Sequence, residues 1–178
     1  MGSKRDSRAV TIGIFAAAVI GLALVSSMFE SESDGDALSS GTVDQDPASL
    51  RVIANTYHSP RIVPPRASIA RLLDGTAELG KFDFIYAAGL LDYLDDATVC
   101  ADTAWCRSSL TAGGSILLAN FSECDERGFM ESVMQWPLVY RSAPLLAELV
   151  GKVVGPEVTS FRDPLGIVAY SEARLQKA

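Results

Sequence analysis

The sequence predicts an α/β domain: a largely parallel sheet with helices on both faces, closed by an antiparallel strand pair. Three observations carry this reading. Lys81-Phe82-Asp83 opens an apolar run, a strand at 84–86, that breaks at small residues and Gly89, the pattern of a strand covered on both faces. A second apolar run, 115–119, follows the turn Thr111-Ala112-Gly113-Gly114. Helical patterns separate these runs, and strands alternating with helices imply parallel pairing.

The chain has 178 residues, enough for one domain with a real core. Its 48% hydrophobic residues exclude global disorder. A formal charge of -7 with no basic stripe argues against a nucleic-acid partner. Cys100, Cys106 and Cys124 are odd in number and lack paired CxxC spacing, so they predict buried thiols in a reducing compartment and no metal site. His58 is the only histidine and sits in a Ser-Pro setting, which gives a Ser-His or Cys-His mechanism little to work with.

Residues 1–8 form a basic tail, and 9–178 a single domain. The run 9–29 carries no charge; Lys4, Arg5 and Arg8 precede it and Glu30, Glu32, Asp34 and Asp36 follow. Two readings fit. One is a membrane-spanning or signal-anchor helix with its amino end in the cytoplasm. The other is a strand at 10–14 and a helix at 16–28 inside a cytoplasmic domain, since a strand-turn-helix unit buried on both sides is also apolar. Loss of this strand would leave unpaired edges at the sheet centre, which favours the internal unit.

The acidic, Ser/Gly-rich stretch 30–41 predicts a loop. A short strand at 42–44 then ends in Asp44. Asp46 as N-cap and Pro47 at the first position start a helix that carries Leu50, Ile53, Ala54 and Tyr57 at helical spacing. Pro60, Pro64 and Pro65 interrupt regular structure before a short helix at 67–73. Asp95 or Asp96 caps a helix reaching about Leu110, with Val99, Thr103, Cys106 and Leu110 on one face. Helices at 129–136 and 144–153 follow. Strands at 158–161 and 167–171 close the fold about the turn Asp163-Pro164-Leu165-Gly166.

Ligands of open α/β sheets lie beyond the carboxyl ends of the strands, which is where Ala87 to Asp92 fall. An acid at the end of a second strand, such as Asp44, can accept from ribose hydroxyls; a solvated turn acid is the other reading.

The stretch FDFIYAAGLLDYL, residues 82–94, resembles the fourth motif of class I S-adenosylmethionine (SAM)-dependent methyltransferases, in the branch linked to fatty-acid methyl ester (extracellular factor) synthesis. TVDQDPASL, residues 42–50, is similar to the second motif of that branch. Arg66 to Leu73 resembles the third, with Ala67 and Ser68 where Asp, Glu or Asn is frequent. Leu110 to Phe121 resembles the turn and fifth strand, with Ala112 in place of a proline. Arg127-Gly128-Phe129-Met130-Glu131 and Trp136-Pro137-Leu138-Val139-Tyr140-Arg141 resemble the branch's R-x-x-M-E and W-x-L-x-Y-R elements. The first, glycine-rich motif departs most: Gly13 matches its first glycine, but Phe15 stands at the second and obstructs close backbone approach. The resemblance covers about 42–175 and looks amino-terminally truncated or degenerate.

The resemblance implies a class I methyltransferase-like, Rossmann-like fold, SAM as cofactor and a small-molecule or fatty-acid-like acceptor, with a carboxylate among the candidates. Gly13, Asp44, Ala67, Ser68, Tyr86, Ala87 and Gly89 would contact the cofactor. Asp92, Tyr93, Asn120, Glu131, Trp136, Tyr140 and Arg141 would contact the acceptor, with Arg141 holding a carboxylate through two hydrogen bonds. No residue is assigned as catalytic, because in-line methyl transfer draws much of its rate from positioning. A structural Glu131–Arg141 pair is the rival reading of the late motif. A catalytically inactive binding module and a single-pass membrane-anchored domain are the rival functions.

Overall fold

The computed structural model describes residues 8–13, 39–43, 51, 55, 62–63, 69–76 and 79–176. The expected helix at 16–28, Phe15, Asp44, His58, Ala67 and Ser68 lie outside them.

Seven strands form one sheet in the order β3-β2-β1-β4-β5-β7-β6. The strands are β1 Arg8–Gly13, β2 Ser39–Val43, β3 Ile62–Val63, β4 Phe82–Ala88, β5 Leu110–Phe121, β6 Val158–Arg162 and β7 Val168–Arg174. β1 pairs in parallel with both β2 and β4, and so occupies the sheet centre expected for residues 10–14. β2–β3 and β4–β5 are also parallel. Among the described strands only β7 runs against its neighbours, between β5 and β6. This is the largely parallel sheet with a closing antiparallel pair that the sequence predicts. It is the strand order and direction of a class I methyltransferase-like fold.

The described helices are α1 Ile69–Leu73, α2 Asp96–Ser109, α3 Arg127–Ser132 and α4 Ala143–Val154, with a 3₁₀ turn at Leu91–Tyr93. Arg51 and Asn55 are helical as well, within the segment expected to be a helix after Pro47. Asp95 caps α2, its Oδ1 accepting from the Thr98 amide at 2.7 Å. Ser142 caps α4, with Pro144 in the first turn. Strand alternation sends Ile85, Ala87, Ile116 and Leu118 to one face, where they meet Leu72, Val99 and Leu146 from the helices. Tyr86, Leu117 and Ala119 turn to the other face, beside Tyr170.

Several boundaries differ from the sequence reading, the following most. The loop at 30–41 gives way at Ser39, because β2 begins there against β1. The strands at 84–86 and 115–119 lengthen to Phe82–Ala88 and Leu110–Phe121. The turn at 111–114 is absorbed into β5 as an irregularity, with a register shift between Phe82 and Phe84. Glycine is needed there: a Cβ on Gly114 would lie 3.0 Å from the Asp83 carbonyl oxygen. The helix expected at 129–136 runs instead over Arg127–Ser132, and Gln135 beyond it has φ 51° just before Pro137.

Candidate functional site

The order β3-β2-β1-β4-β5 reverses direction between β1 and β4, and such a switch point opens a crevice beyond the strand ends. Gly13, the last residue of β1, pairs with Ala88 near the end of β4. Gly89 follows in the left-handed region, φ 66°, and turns the chain into the 3₁₀ segment. Small residues therefore stand at the ends of both strands. The Ala87 side chain is buried in the first core. Tyr86 is also a core residue: its ring lies in the second cluster, and burial, then the nearby Tyr170, pushes its hydroxyl up to about 12. Both side chains are thus packed in the core rather than exposed.

Asp92 sits just past this turn, buried to 2% exposure. Its Oδ1 accepts from the Phe121 amide at 2.6 Å, and its carbonyl accepts from the Val139 amide at 2.8 Å. Burial pushes its carboxyl up to about 6, although the Phe121 amide and the Arg141 charge pull the other way. Asp92 thus joins the ends of β4 and β5 to the chain after α3.

Arg141 is 1% exposed and was expected to anchor an acceptor carboxylate. The geometry corrects this. All five N–H groups of a guanidinium are engaged by protein acceptors. Nε and Nη2 donate to Asp96 Oδ1 at 2.9 and 2.8 Å. Nη1 donates to the Leu91 carbonyl and Asn120 Oδ1, and Nη2 also to the Leu94 carbonyl. No fork is left for a ligand. The ion-pair partner is Asp96, not Glu131. Asn120, buried at 1%, spends its amide donors on the Phe121 and Val139 carbonyls. Asn120 and Arg141 are therefore positioning residues that hold the loop around Asp92.

The aromatic residues divide into two groups. Trp136 donates from Nε1 to the Tyr93 hydroxyl at 2.6 Å and meets Phe121 edge-on, with ring centres 6.0 Å apart. Tyr93 follows Asp92 in the chain, and Trp136 meets Phe121, whose amide donates to Asp92. Glu131 instead pairs with Arg127 at 2.8 Å, and the Arg127 guanidinium lies 4.7 Å from the centre of the Tyr140 ring. The structure ties Asp92, Tyr93, Asn120, Trp136 and Arg141 into one network, while Glu131 and Tyr140 gather around Arg127. Sequence reasoning missed Asp96, Phe121 and Arg127. Asp96 carried a signal, since an acid beside the capping Asp95 is free for another partner.

No protein-family model and no curated protein matches this sequence. Solved structures do resemble it. The SAM-dependent methyltransferase SibL superposes with a TM-score of 0.68 at 13% identity, over 98% of this chain and 51% of SibL. An O-methyltransferase family protein from Burkholderia thailandensis gives 0.69 at 14% identity, over 95% of this chain and 51% of its own. The N-methyltransferase NodS from Bradyrhizobium japonicum gives 0.63 at 15% identity, over 96% of this chain and 86% of its own. At these identities the likeness is one of fold, and it establishes the class I methyltransferase fold. The chain spans about half the length of SibL and of the Burkholderia protein.

Proposed function

We propose that this domain transfers a methyl group from SAM to a small-molecule or lipid-like acceptor. The observation that carries the reading is the placement of Asp92: a buried carboxyl, hydrogen-bonded to the Phe121 amide, just past the carboxyl end of β4 and beside the switch point of a methyltransferase fold. The strand ends at Gly13 and Gly89 fit a nucleoside cofactor, and Asp44, next after β2, is the candidate for its ribose hydroxyls. SAM, when bound, supplies an electrophilic methyl group. Asp92 takes the proton that a hydroxyl or amine acceptor gives up, a role suited to a carboxyl whose basicity burial raises. Tyr93 and Trp136 offer an aromatic wall to the acceptor's apolar body. A fatty-acid carboxylate, as in the resembled branch, is less favoured, because Arg141 has no donors left to hold it.

Calorimetric titration with SAM tests the cofactor, and methyl transfer to a panel of phenols, amines and fatty acids tests the acceptor. Saturable SAM binding is expected, weakened by about 1–3 kcal/mol in Asp44→Ala. Turnover is expected to fall at least 100-fold in Asp92→Asn, the usual scale for general-base loss, with SAM affinity kept. Absence of SAM binding in the folded chain overturns the reading. Phe15, at a position where the resembled motif has glycine, favours a second reading: a methyltransferase-like module without turnover. Binding of SAM without transfer to any of the panel would support it.

A further inference from the structure

A second cleft lies at the opposite end of the sheet. It encloses about 430 Å³ and is lined by Arg107, Val154, Glu157, Arg174, Leu175 and Gln176 among others. Its place follows from topology. Arg107 is in the last turn of α2, which leads directly into β5. Arg174 ends β7, which runs antiparallel to β5, and pairs with Ser115, directly after the Gly113-Gly114 irregularity of β5. The cleft thus sits at the amino ends of β5 and β6, away from Asp92 at the carboxyl end.

Two guanidiniums border it. Arg107 donates from Nη1 to the Val153 carbonyl at 3.0 Å, and Arg174 from Nε to the Gly113 carbonyl at 3.1 Å. Each is held by one of its five N–H groups, and neither forms an ion pair with a described residue. Glu157 accepts from Gln176 at 3.2 Å on the same wall, and Val154, Pro156 and Leu175 give apolar surface. A basic residue at a helix carboxyl end is favoured by the dipole alone, which accounts for Arg107. It does not account for Arg174, which is on a strand. The volume is that of a metabolite site.

We propose that this cleft binds a small oxyanion, a carboxylate or phosphate, with a hydroxyl or amine beside the charged group. The guanidiniums hold the oxyanion through paired hydrogen bonds. Glu157 accepts from the neighbouring donor. This site is independent of methyl transfer at the carboxyl end.

The test is an amide NMR titration of the full chain at neutral pH with 3-hydroxybutyrate, with inorganic phosphate and with sodium chloride at matched ionic strength. Saturable shifts are expected at Gly113, Leu175 and Gln176 with at least one oxyanion at millimolar concentration. The tighter of the two identifies carboxylate or phosphate as the source. Affinity is expected to fall about tenfold or more in Arg174→Gln and in Arg107→Gln, the scale of a lost charge-assisted hydrogen-bond pair, with dispersed spectra in both. No saturable shift with either oxyanion, equal shifts with chloride, or wild-type affinity in both variants overturns the proposal.

Discussion

Asp102 is buried to 1% exposure on α2, and neither carboxylate oxygen has a hydrogen-bond partner. Burial pushes its carboxyl up to about 7. The folded state therefore prefers the protonated form, while the unfolded chain titrates near the ordinary 3.8. The stability this group permits is whole below about pH 4 and is lost as pH rises through about 7, a change on the order of 2–4 kcal/mol. Asp92 works in the same direction over a lower window, up to about 6. Denaturant unfolding at pH 4 to 8 is expected to show wild-type stability falling across this range. Asp102→Asn should flatten most of the fall; an unchanged slope would remove Asp102 as its source. Arg141 makes the complementary case. Lysine cannot supply its planar set of donors, so Arg141→Lys leaves Leu91, Leu94 or Asn120 acceptors unpaired inside the protein. A loss of about 2–4 kcal/mol is expected. Thermal melting should drop by several degrees, while SAM affinity stays as in wild type. Unaltered melting with a raised Michaelis constant would restore Arg141 as a ligand anchor.

Between β4 and β5 the sheet depends on one close approach. Gly114 brings its backbone against the Asp83 and Thr111 carbonyls, and Thr111 Oγ1 donates to Asp83 Oδ1 at 2.6 Å. Gly114→Ala places a Cβ 3.0 Å from a backbone oxygen that has no flexible end to move. The expected cost is about 1–3 kcal/mol, the range for forced overpacking. Hydrogen exchange should quicken at the start of β5; protection as in wild type would mean the backbone accommodates the methyl. The sequence showed the Gly113-Gly114 pair plainly, but as a turn. Two glycines in a row mark a backbone that must bend or approach closely, and do not say which. The α2 start was legible because its cap was explicit, at Asp95 or Asp96, and α4 was found without its Ser142 cap being read. Boundaries were misplaced at α3, where no capping side chain bonds the first turn. The site was legible in the same uneven way. Asp92 and Asn120 follow strands that periodicity finds. The engagement of Arg141 depends on carbonyls at Leu91 and Leu94, and a backbone acceptor leaves no mark on residue type.

The whole sheet hangs on its first strand. β1 is the shared neighbour of β2 and β4, and five residue pairs join it to each. Without it, β2–β3 would be separated from β4–β5–β7–β6, and two central edges would present unpaired backbone groups. The apolar run from Ala9 is thus, in its first residues, a hydrogen-bonding element of the domain. Among the described residues no helix is long and apolar enough to cross a membrane. The same placement sets the candidate site, because the crevice exists only where β1 and β4 end side by side. Deleting residues 1–13 is therefore expected to abolish cooperative unfolding, with loss of near-ultraviolet circular dichroism and of any SAM binding. Far-ultraviolet signal from α2 and α4 would persist in part, as in compact states that keep secondary structure without fixed packing. A double substitution that spares the amino end, Val10→Pro with Ile12→Pro, should do the same by removing two ladder donors from a central strand. A deletion that melts cooperatively and still binds SAM would show that β4 carries the site without β1, and that the central strand is dispensable to the fold.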